Sequence, residues 1–111
     1  MPRQPRLDYA GVLHHVICRG VARCTIFRQE VDRTKFLKEL GELLGRCKAQ
    51  CLAWALMSNH FHLLVVTGSE PLAKLMQSLL TRYAVYFNHR YRRAGKRGHE
   101  GTYLRICVTL A

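Results

Sequence analysis

The sequence predicts an α+β domain: a four-stranded antiparallel sheet with two helices on one face, connected β-α-β-β-α-β. Three observations carry this. Apolar residues recur at helical spacing in two long segments, at 36, 37, 40, 43, 44 and 47 and again from Leu72 through Leu75, Met76, Leu79, Leu80 and Tyr83 to Phe87. Strand-like runs, 12–18, 50–57, 60–67 and 102–109, lie around those helices. Between the second and third runs, Met57-Ser58-Asn59-His60 has room only for a tight hairpin turn.

Taken in order, Val12-Leu-His-His-Val-Ile-Cys18 is rich in β-branched residues and ends at Arg19-Gly20. The first helix spans about Glu30 to Cys47, and the strand after it centres on Trp54. Ser69-Glu70-Pro71 reads as the start of the second helix, with a capping serine and a first-turn proline. A glycine-containing loop, 93–101, leads to the last strand. Right-handed crossovers fold this order into the ferredoxin-like arrangement, strand order 4-1-3-2, with the first and third strands central. Pairing Met57 with His60 sets Ala55 opposite His62. Trp54, Leu52 and Leu56 then join Phe61 and Leu63 on the helix side, and Trp54 is expected in the core. A one-residue slip would reverse the faces.

With 111 residues the chain has room for one domain, 1–111. No apolar run is long enough to span a bilayer, and no apolar core follows the basic N-terminus, so a cytoplasmic protein is the expectation. Five cysteines, an odd number without a secretion signal, point to reduced thiols. Cys47 and Cys51 with His60 leave a zinc site open, but no second close pair completes the spacing.

Lys and Arg outnumber Asp and Glu by 18 to 7, and no acidic residue lies between Pro71 and His99. Arg82, Arg90, Arg92, Arg93, Lys96 and Arg97 fall in that stretch and are the candidate nucleic-acid contacts. Guanidinium forks suit phosphate oxygens, and a field of one sign attracts a polyanion. The alternative is a basic solvated surface without a specific partner. In Asn59-His60-Phe61-His62-Leu63-Leu64, strand alternation puts His60 and His62 on one face, where two imidazoles can share a divalent metal. The plainer alternative is a pair of histidines fraying from a turn.

Pro5-Arg6-Leu7-Asp8-Tyr9, His15-Val16-Ile17, Arg19-Gly20 and Ile26-Phe27 resemble the opening of the REP-associated tyrosine transposases, which are single-tyrosine HUH transposases. Met57 to Leu64 resembles that family's metal motif, two histidines around a hydrophobic residue. Arg82-Tyr-Ala-Val-Tyr-Phe-Asn88 resembles its following helix, and Gly98-His99 with Gly101-Thr102-Tyr103 resembles, less closely, the segment before the last strand. The resemblance implies that a tyrosine attacks a phosphodiester of single-stranded or hairpin DNA. It also implies Mg²⁺ or Mn²⁺ on His60 and His62, acting as a Lewis acid on the scissile phosphate. In the family the nucleophile sits on a helix after the last strand. Nothing in this sequence matches it, and Tyr83, Tyr86 and Tyr103 fall in other segments. The nucleophilic tyrosine is therefore expected beyond Ala111, and the chain is expected to be a truncated domain without an identifiable catalytic residue. His14 or His15 could stand in for a third metal ligand, although packing against the sheet is the expected role of either. Leu64 and Val66 are expected to lie uncovered on the open face, and a homodimer is left open. Two further readings remain: a catalytically inactive nucleic-acid-binding remnant, and a small metal-dependent hydrolase using water at His60 and His62.

Overall fold

The computed structural model describes residues 10–91 and the backbone of Leu104–Leu110. Its elements are β1 (Leu13–Gly20), a short 3₁₀ turn (Val21–Arg23), α1 (Glu30–Cys47), β2 (Gln50–Leu56), β3 (His60–Val66), α2 (Leu72–Arg90) and β4 (Leu104–Leu110). The fold is α+β, an antiparallel sheet packed by two helices. The strands lie in the order β2-β3-β1-β4, with every neighbouring pair antiparallel.

Alternation along the two inner strands divides the sheet into a core face and an open face. Val16 lies opposite Leu63, Cys18 opposite Phe61 and His14 opposite Val65, and all six are at most 1% exposed. They pack with Phe36, Leu40 and Leu43 of α1 and with Leu75, Met76, Leu79 and Tyr83 of α2. On the opposite face Ile17 pairs with His62, Arg19 with His60 and His15 with Leu64. Leu64 and Val66 are half-buried there. Met57 N–H donates to the His60 carbonyl at 2.8 Å, which closes the hairpin and sets Ala55 opposite His62 as the sequence predicts.

Trp54 corrects the expectation of burial. It pairs with Leu63, so it lies on the core side of the strand, yet it is 54% exposed. β2 is the sheet edge, none of its residues is buried, and the register shifts between Cys51 and Ala53. The helices cover the inner strands, so a correct alternation at an edge does not produce burial. Ser69 also departs from its expected role. Pro71 is the N-cap of α2, while Ser69 Oγ donates to the Cys47 carbonyl at 3.0 Å and ties the turn before α2 to the end of α1.

The two helices are locked by Asp32, which is 0% exposed. Its Oδ2 accepts the backbone N–H groups of Arg28 and Gln29 at 2.9 and 3.0 Å, closing the first turn of α1. Across the helix pair, Tyr86 donates to Oδ1 and Tyr91 to Oδ2, each at 2.7 Å. Arg90 Nε lies 3.6 Å from Oδ1. Burial pushes the carboxyl pKa up, but the Tyr91 and Tyr86 hydroxyls and the two backbone N–H groups outweigh it and hold the group below its ordinary value.

Removing the Asp32 carboxylate leaves four donors without their acceptor. Asp32→Ala should cost about 3–5 kcal/mol in urea unfolding. A carboxylate held below its ordinary pKa contributes stability above the unfolded-state value of about 4, and that contribution is lost as pH falls through the folded-state value. Wild-type stability should therefore drop below about pH 4, and Asp32→Asn should remove much of that dependence. Phe36→Ala should cost about 3–5 kcal/mol, as for a buried phenylalanine. Trp54→Ala should change stability by about 0.5 kcal/mol or less.

Candidate metal and nucleic-acid site

His60 and His62 share the open face because Phe61, between them, is drawn into the core. Their ring centroids are 5.2 Å apart, with the planes near perpendicular. Each ring is held from behind by a different neighbour. His60 Nδ1 lies 2.9 Å from Asn59 Oδ1, and when the ring donates in that bond its Nε2 lone pair is free for a cation. His62 Nδ1 lies 3.1 Å from His15 Nε2, and those two rings stack at 5.3 Å. When His62 donates in that bond, its Nε2 lone pair is also free for a cation. Burial lowers the His62 pKa, and the charges of His60, His15 and Arg19 lower it further, which favours the neutral ring that a metal needs.

Neither histidine of β1 supplies a third ligand. His14 is 1% exposed and faces the helices, on the opposite side of the sheet from His60 and His62. His15 Nε2 is already engaged with His62, so His15 supports a ligand from behind. Among the described residues no three His, Cys, Asp or Glu side chains converge to hold a metal ion. Cys51 pairs with Val65, toward the other end of β3 from His60, so the zinc alternative finds no support in the pairing.

The open face continues into a pocket of about 200 Å³ lined by Arg19, Gly20, Arg23, Asn59 and His60. These neighbours of the histidines are missing from the sequence-based set of candidate contacts. Asn59 could have been found from its place immediately before His60. Arg19 is brought there only by the β1–β3 register and Arg23 only by the turn after β1.

Of the predicted basic residues, Arg82 and Arg90 lie elsewhere. Arg82 Nη1 contacts Glu39 Oε1 at 2.9 Å and Glu42 Oε1 at 3.4 Å, bridging α2 to α1. Together with Lys35 it holds the Glu39 carboxyl below its ordinary pKa. Arg90 donates to Gln29 Oε1 at 2.8 Å and lies beside Asp32. Both belong to the helix layer, across the sheet from the histidines. Arg92, Arg93, Lys96 and Arg97 fall outside the described residues.

The described tyrosines are poor nucleophiles. Tyr83 is 2% exposed and donates to the Ile26 carbonyl, and burial, with the nearby Asp32 charge, pushes its pKa far above the ordinary value. Burial and the hydrogen bond to Asp32 push the Tyr86 pKa up to about 12. Burial and the hydrogen bond to Asp32 raise that of Tyr91 as well. All three hydroxyls are engaged, Tyr83 with the β1–α1 connection and Tyr86 and Tyr91 with Asp32. Tyr103 falls outside the described residues, and so does Ala111, with the expectation that the nucleophile lies beyond it. No tyrosine among the described residues takes the nucleophile's place beside His60 and His62.

Comparison with known proteins agrees with this fold. A candidate transposase from Deinococcus radiodurans R1 superimposes with a TM-score of 0.69 at 18% identity, over 98% of this chain and 85% of that one. A REP-associated tyrosine transposase bound to a REP hairpin superimposes with a TM-score of 0.62 at 13% identity. That match covers all of this chain (100%) but 62% of the relative's length. At these identities the likeness is one of fold. No curated protein matches the chain. The sequence profile described as "Transposase IS200 like" matches residues 9–104, most of the length, and the chain belongs to that family.

Proposed function

We propose that the chain is a DNA-processing domain of the transposition type that binds single-stranded or hairpin DNA, with His60 and His62 as ligands to Mg²⁺ or Mn²⁺. The observation that carries this reading is the pair of supported imidazoles on the open sheet face. Asn59 and His15 engage the two Nδ1 atoms, which leaves the two Nε2 atoms as donors. The donor set fits a divalent ion that keeps positions for water and phosphate oxygens. When bound, the ion would supply Lewis-acid polarisation of a phosphodiester. The residues of the chain do the rest: His60 and His62 fix the position of the phosphate, Asn59 and His15 fix the rings, and the basic side chains draw in the strand. The hairpin-bound relative supports a structured DNA ligand for this chain too. The ferredoxin-like sheet, with Leu104–Leu110 as its fourth strand, is part of the same proposal.

Arg82, Arg90, Arg92, Arg93, Lys96 and Arg97 would form a separate phosphate track on α2 and after it. Arg82 and Arg90 can join it by exchanging their present partners for phosphate. A second reading, DNA binding without cleavage by these residues, is favoured by the engagement of Tyr83, Tyr86 and Tyr91 in packing and hydrogen bonds. The hydrolase reading has less support, because among the described residues no carboxylate lines the pocket beside His60.

Titration calorimetry with Mn²⁺ should detect binding to the wild-type chain and none to His60→Ala or His62→Ala. His15→Ala should weaken the affinity by roughly 10–100-fold, as expected when a side chain that orients a ligand is lost. Unchanged affinity in the His60 and His62 variants would exclude the pair as ligands. After incubation with labelled single-stranded DNA and Mn²⁺, a denaturing gel should show no adduct mapping to Tyr83, Tyr86 or Tyr91. An adduct at any of the three would contradict their assignment to packing.

A further inference from the structure

The segment joining β1 to α1 is bound to the turn that precedes His60. Gly20 N–H donates to the Asn59 carbonyl at 3.0 Å, and the N–H groups of Ile26 and Phe27 both donate to the Ser58 carbonyl, at 2.8 and 3.1 Å. Gly20 is packed so closely that an added Cβ would lie 2.5 Å from the Cys24 carbonyl oxygen. Between these anchors the chain turns through two consecutive left-handed residues, Ala22 (φ 55°) and Arg23 (φ 58°). Neither is glycine. Each carries a steric cost that persists only where the surroundings over-determine the backbone, a pattern concentrated at functional sites. The result places Arg23 in the same pocket wall as Arg19, Asn59 and His60.

The two arginines also differ from three arginines of the helices. Arg33, Arg82 and Arg90 each sit beside a carboxylate. Among the described residues neither Arg19 nor Arg23 forms an ion pair, and both are exposed. Arg19 is the cross-strand partner of His60, so its side chain leaves the sheet on the histidine face. Two unneutralised guanidinium groups around a concave pocket, on backbone held by hydrogen bonds, are suited to the paired oxygens of a phosphodiester.

We infer that Arg19 and Arg23 form a phosphodiester clamp for single-stranded DNA, seated beside His60 and independent of the basic residues on and after α2. The clamp rests on the DNA-binding reading above and deepens it by locating one phosphate contact on the β1–α1 connection. It binds without metal, since its donors are fixed positive charges.

The test measures binding of a fluorescein-labelled oligothymidine to the full chain in EDTA, across a salt series, with thermal unfolding of each variant alongside. The variants are Arg19→Ala, Arg23→Gly, the double variant, and Arg46→Ala, in the last turn of α1, as a control. Each lost phosphate contact should lower the slope of log K against log salt by about 0.7, so the double variant should lose about 1.4. Arg46→Ala should leave the slope unchanged. Arg23→Gly carries a second signature: glycine accepts the left-handed conformation, so this variant should unfold at a higher temperature while binding DNA more weakly. A merely structural role for Arg23 would move both readouts together. If wild type binds and the slopes of Arg23→Gly and the double variant match it, the clamp is wrong and the DNA-binding reading stands. If wild type binds no oligonucleotide, the reading fails and the clamp with it.

Discussion

The register between β1 and β3 is the constraint on which the rest of the structure depends. Phe61, Leu63 and Val65 enter the core opposite Cys18, Val16 and His14, and this leaves His60 and His62 no orientation except outward. The hydrophobic effect thus positions the candidate metal ligands indirectly. Burying three apolar side chains of β3 contributes about 1.5–3 kcal/mol each, and a slip by one residue would exchange them for Leu64, Val66 and the imidazoles. The same pairing carries His15 to the back of His62 and Arg19 to the side of His60. A site assembled by the pairing of two central strands inherits their rigidity, which a loop-borne site lacks.

The two faces of the sheet divide the chemistry between them. The helix side holds the tyrosines, the buried carboxylate of Asp32 and the ion pairs that tie α2 to α1. The open side holds imidazoles and unneutralised arginines. A net charge of +11 says that the molecule attracts anions, but not where. The location follows from which cations already have partners, and that depends on contacts between residues far apart in the chain.

This separates what is legible in the sequence from what is not. The helix of Glu30–Cys47, the hairpin between Leu56 and His60, the central places of β1 and β3 and the shared face of the histidines all follow from local periodicity and one tight turn. Alternation misplaces Trp54 because it gives the face of a residue but not the cover above it, and β2 lies at the edge. Asp32 gives no signal of burial. Its partners Tyr86 and Tyr91 lie 54 and 59 residues on, and an aspartate in the first turn of a helix is ordinarily an exposed cap. Arg82 reads as a phosphate contact because the stretch around it lacks acids, whereas Glu39 and Glu42 reach it from the other helix. Arg23 cannot be placed at all without the left-handed turn that carries it.

The central claim is that the open sheet face binds a divalent ion through the Nε2 atoms of His60 and His62. It is tested most directly by NMR of the imidazole nitrogens during addition of substoichiometric Mn²⁺, whose paramagnetism broadens nearby nuclei. The account predicts that the Nε2 signals of His60 and His62 vanish first and those of His15 next. The indole signal of Trp54, on the other side of the sheet, should persist. Selective broadening around Cys47 and Cys51, or equal and gradual broadening of all histidines, would contradict it.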